Sequence, residues 1–161
     1  MAVHKFILDD FEEADYQLIA IHTNLELFRI AFLLNRELPI LLSKNQKKVI
    51  LNHPLQKLEF SLYRYDDEKK EQFWSLIPNK EEVLLKSNKK SRNLFETEEN
   101  QSQTFYFLPE LKKVDYFLKM EGDFEKTDNA KLLSSINRIE QVTTAYWVAE
   151  NLIKSKNNLI F

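Results

Sequence analysis

Val114-Asp115-Tyr116-Phe117-Leu118-Lys119-Met120 is the stretch on which the fold turns. Val114, Tyr116, Leu118 and Met120 recur at every second position, with Asp115, Phe117 and Lys119 between them. That is the period of a β-strand, whose successive side chains point to opposite faces. The strand over 114–120 is therefore expected to send the first set into a core and the second to its other face. Gly122-Asp123 then turns the chain. Asp128 is placed to cap a helix over 128–140, whose apolar stripe is Leu132, Leu133, Ile136 and Ile139. A strand over 142–148 follows, then a short helical turn and tail that ends Leu159-Ile160-Phe161.

The same order appears near the start. Tyr16 to His22 is nearly continuous in apolar character, as in a buried strand. Thr23-Asn24-Leu25-Glu26 fits a capping box, and the helix it opens runs to Glu37, ahead of Pro39. Leu25, Phe28, Phe32 and Leu33 lie near one stripe of that helix, and Leu27, Ile30, Ala31 and Leu34 widen it. A helix on a sheet needs an apolar arc of only about 100°, so this one is expected to lie beneath a second element or against a partner. Strands are also expected at 3–8, 39–42, 58–65, 72–77, 81–85 and 104–108. Asp66 to Lys70 forms a polar tip, 44–53 a polar connection and 87–103 a long mobile loop. Together these predict one α+β domain over 1–161. Its sheet is antiparallel or mixed, with helices on one face, in ferredoxin-like or ACT-like strand-helix-strand units.

Composition removes several classes of chemistry. There is no cysteine, which rules out disulfides, thiol catalysis and thiolate metal sites. Gly122 is the single glycine in 161 residues, where average usage predicts roughly eleven. Glycine-rich phosphate loops and the Gly-x-Ser-x-Gly elbow are thereby excluded. The net charge of −2 argues against a dedicated nucleic-acid binder. The first residues lack the apolar run of about 7–15 that a secretory signal needs. Ile30 to Leu34 is far short of the about 20 residues of a membrane span. A soluble, cytoplasmic protein is expected, with no membrane association.

His4, His22 and His53 are too far apart in sequence to form a helical metal pair. Asp9, Asp10, Glu12, Glu13 and Asp15 lack the spacing and glycine of a calcium loop and read as a solvated turn. Lys86, Lys89, Lys90 and Arg92, with Phe95 beyond, carry the types that bind single-stranded nucleic acid, but Glu96, Glu98 and Glu99 follow at once. No catalytic constellation, cofactor or metal is expected.

Leu108-Pro109-Glu110-Leu111-Lys112-Lys113-Val114-Asp115-Tyr116 resembles the signature of the bacterial IPExxxVDY family, with Leu108 in place of isoleucine. The opening His4-Lys5 with Leu8-Asp9-Asp10-Phe11 and the closing Leu159-Ile160-Phe161 are similar to that family as well. The family is named for a motif and not for an activity, so the resemblance implies no chemistry. Read from the residues alone, Pro109 ends a strand, Glu110 can accept amides in a turn, and Asp115 leaves the strand face of Val114 and Tyr116. Pro109, Glu110, Val114, Asp115 and Tyr116 are therefore candidates either for a strand connection or for an interaction surface.

The leading functional expectation is a non-enzymatic interaction or regulatory protein, with an unknown protein partner or as a homodimer. The alternatives are an ACT-like small-ligand sensor, with its ligand at the Gly122–Asp123 turn, and an RNA-associated protein using 86–92.

Overall fold

The computed structural model describes residues 16–85 and 101–161. The expected strand over 3–8, the acidic run and the loop from 87 to 100 lie outside them. Ten strands and two α-helices are described: β1 Tyr16–Thr23, α1 Leu27–Glu37, β2 Ser43–Lys44, β3 Val49–Asn52, β4 Lys57–Phe60, β5 Tyr63–Asp67, β6 Gln72–Pro78, β7 Lys80–Leu85, β8 Gln101–Tyr106, β9 Tyr116–Glu121, α2 Lys126–Asn137 and β10 Val142–Trp147. The main sheet has six strands in the order β10-β1-β9-β6-β5-β2, and every pair is antiparallel. β3-β4 and β7-β8 form two separate hairpins.

The two-residue period sorts the central strands between two cores. Ile19, Ile21, Trp74, Leu76, Leu118 and Met120 face both helices, against Ile30 and Leu34 of α1 and Leu132 and Ile136 of α2. Leu18, Ala20, Ile77 and Phe117 face the other way, onto Phe60, Phe105 and Phe107 and onto Ile153 and Leu159 of the C-terminal segment. Both faces of the sheet are thus covered, with the helices on one of them. Phe117 is fully buried, and burying such a ring is worth roughly 1.5–3 kcal/mol.

Several expectations are corrected. Val114 precedes β9 and sits in the second core, away from Leu118 and Met120. α1 begins after Glu26, without a side-chain cap. The Thr23 hydroxyl donates to the Gln141 carbonyl at 2.7 Å and accepts from the Leu25 amide at 3.2 Å, so it closes β1 and opens no capping box. Pro39 to Leu42 forms no strand. The Asn35 amide holds Leu42 through both of its backbone groups, at 2.7 and 2.9 Å. The polar 44–53 stretch contains β3, the expected 58–65 strand is split into β4 and β5, and β8 takes in 101–103 of the expected loop. α2 starts after Glu125 and ends at Asn137, with Asp128 in its first turn and not at its cap. Pro109 opens a short 3-10 turn, Pro109–Leu111.

Candidate functional site

Three places concentrate polar groups or exposed apolar surface. The first is the motif loop between β8 and β9. Its organiser is Asn79, a fully buried residue between β6 and β7. The Asn79 side chain accepts from the Leu108 amide at 2.8 Å and donates to the carbonyls of Leu111 and Val114 at 2.8 and 3.0 Å. Its own amide donates to the Asp115 carbonyl at 2.9 Å, and its carbonyl accepts from Phe107 at 2.8 Å. A loop that must bury its backbone has to pair its polar groups, and one asparagine does most of that here.

The motif side chains are each engaged with neighbouring backbone. Glu110 accepts from the amides of Lys154 and Ser155 at 2.8 and 2.7 Å and from the Ser155 hydroxyl at 3.0 Å. Burial alone raises the Glu110 pKa, but the amides of Ser155, Glu110 and Lys154 and the Ser155 hydroxyl outweigh it and hold the carboxyl below its ordinary value. Asp115 accepts from the Thr23 amide at 3.0 Å and from the Lys80 ammonium at 2.9 Å. The Tyr116 hydroxyl donates to the Leu25 carbonyl at 2.6 Å. Burial first, then Asp115 and Glu26, push that phenol up to about 12. Pro109 is exposed at the start of the turn and Val114 is buried beneath it. The loop therefore ties the β1–α1 junction, the start of β7 and the C-terminal segment to one point.

The second place is a cleft of about 820 Å³ bounded by the C-terminal end of α1, the start of α2, the β5–β6 tip and the Gly122–Asp123 turn. Trp74 and Phe124 meet edge to face at 5.2 Å along its lining. Gly122 has a φ of +109°, and a Cβ there would come within 2.1 Å of the Glu71 carbonyl. The chain keeps its one glycine because two backbones meet at that point. Asp123 lines the cleft, and its carbonyl accepts from Gln72 at 2.6 Å.

The third place is the outer face of α1. Ile30, Ala31, Leu33 and Leu34 are buried, whereas Phe28 and Phe32 are 54% and 66% exposed. The excess width of the apolar stripe consists of these two rings. No described element covers them.

The histidines stand apart. His22 lies 3.1 Å from the Tyr146 hydroxyl and stacks on its ring, and His53 accepts from the Leu55 amide and packs against Phe105. No group of three or more His, Cys, Asp or Glu residues able to hold a metal ion occurs among the described residues, and no described helix is long and apolar enough to cross a membrane. The 86–92 basic run lies outside the described residues. Comparisons with family models, curated proteins and solved structures find no match for this chain.

Proposed function

We propose that the chain is a single-domain, non-enzymatic interaction protein and that the outer face of α1 receives an acidic, apolar segment of a partner protein. The exposure of Phe28 and Phe32, one helical turn apart, carries this reading. Arg29 and Arg36 fall on the same face by helical spacing, and Arg29 lies over the Phe28 ring at 5.9 Å. In a symmetric pair of such helices this face would meet itself and bring arginine towards arginine. A carboxylate-bearing segment answers that charge, so a heterologous partner is favoured over a homodimer.

The test is a photo-crosslinking residue at Phe32, read by mass spectrometry in the source cell, with light scattering on the purified chain. The proposal expects crosslinks to an acidic apolar segment of one partner, lost in Arg29→Glu and in Phe28→Ser. Crosslinks only between copies of the chain would establish the homodimer instead.

A second reading, the small-ligand sensor, is supported by the topology. β1-α1-β6 and β9-α2-β10 are two strand-helix-strand units, and the order β10-β1-β9-β6 is that of a ferredoxin-like core. On this reading β2–β5 and β7–β8 are insertions, and the cleft beside Gly122 is the ligand site. Membership of the IPExxxVDY family is proposed on the same footing. The roles of Glu110, Asp115 and Tyr116 support a motif that serves the scaffold.

A further inference from the structure

We propose that the cleft beside Gly122 binds a small organic amine, a positively charged nitrogen on a flat apolar body; this rests on the second reading above. A volume of about 820 Å³ lies within the range of small-molecule sites. Trp74 and Phe124 give the lining an aromatic part, and aromatic rings attract cations over their faces.

The charges decide the ligand's sign. Asp123, Glu125 and Asp128 line the cleft and have no ion-pair partner among the described residues. Lys70 and Lys131 are the described cations of the lining, fewer than the carboxylates. The start of α2 on its own would draw an anion, but Glu125 and Asp128 already place negative charge there. Asn129 adds an independent observation. Its amide nitrogen donates to Gln17 at 2.9 Å, while its oxygen is shut off from solvent and accepts nothing. A buried acceptor without a donor is an unmet demand, and an ammonium supplies N–H groups.

The probes are phenethylamine, 2-phenylethanol and 3-phenylpropanoate, which share a ring and differ in charge. Each is titrated into the full chain while the Trp74 indole and Asn129 amide signals are followed by NMR. The amine is expected to shift both signals and to bind about tenfold tighter than the alcohol, a difference on the scale of one favourable charge contact. Asp128→Asn with Glu125→Gln, both at exposed positions, should remove that preference and leave the fold unchanged. Equal or tighter binding of the alcohol or the carboxylate would overturn the amine assignment and leave the cleft as a ligand site. If none of the three shifts the Trp74 and Asn129 signals at millimolar concentration, both the assignment and the sensor reading fall.

Discussion

Replacing Asn79 by alanine tests the central claim about the motif loop, that one amide supports its buried backbone. The substitution removes the partners of the Leu108 amide and of the Leu111 and Val114 carbonyls. Two of those bonds are fully buried and one partly so. A buried backbone group left without a partner costs about 1–3 kcal/mol. A loss of about 4 kcal/mol is therefore expected, out of the roughly 5–15 kcal/mol that holds a typical domain together. In thermal terms the midpoint should fall by about 8–16 °C for a chain of this size. Asn79→Asp separates the donor from the acceptor role. It keeps an oxygen for Leu108 but turns a carboxylate towards two carbonyls. Its folded-state pKa is then raised, so the variant should regain stability as pH falls towards the carboxylate range and the acid form can donate. Urea unfolding of the three proteins at neutral and acid pH measures both effects. Asn79→Ala within 1 kcal/mol of the parent would refute the reasoning.

Gly122→Ala should cost several kcal/mol, because its Cβ would meet the Glu71 carbonyl and its φ is left-handed; chemical denaturation measures it. Glu110 titrates below its ordinary value in the fold, so its stabilisation is fully present above the unfolded pKa and is lost as pH falls through the folded one. The stability gap between the parent and Glu110→Gln should accordingly be constant at neutral pH and close in acid. Tyr116 has the opposite sign. Its contribution is intact below the ordinary phenol pKa and is lost as pH rises towards about 12, and a phenolate-absorbance titration should lose its latest step in Tyr116→Phe. Asp115→Asn keeps an oxygen for Thr23 and gives up only the half-exposed pair with Lys80, so unfolding should register no more than about 1 kcal/mol.

β1, β6, β9 and β10 were legible because each repeats apolar residues with a strand's period or as a continuous run. β9 also shows the limit of that signal. Alternation placed Phe117 and Lys119 on one face but could not show that hairpins and the C-terminal segment cover it. Lys119 is buried there, held by Glu121 at 3.0 Å and by the Phe161 ring at 4.4 Å. β3 was hidden because Val49 and Leu51 are its only apolar residues among polar neighbours. The capping box misled because its pattern is local, whereas the Thr23 hydroxyl is claimed by Gln141, distant in sequence. Asn79 left no sequence signal beyond an asparagine after Pro78, which reads as an ordinary turn. The pairing of Pro109–Tyr116 with Ser155, Lys80 and Leu25 is set by tertiary proximity, to which no local pattern corresponds.

The bond between Asn137 and Ala145 bears on how the molecule behaves in a crowd. β10 is an outer strand of the main sheet, and the Asn137 side chain accepts from the Ala145 amide at 2.8 Å and donates to its carbonyl at 2.9 Å. An open strand edge invites a foreign strand to dock and recruit another behind it. Here a side chain of the same molecule already occupies the middle of that edge, and the opposite edge is only the two residues of β2. The main sheet is closed to growth at both ends, so neighbouring copies meet without a ready template for fibre formation.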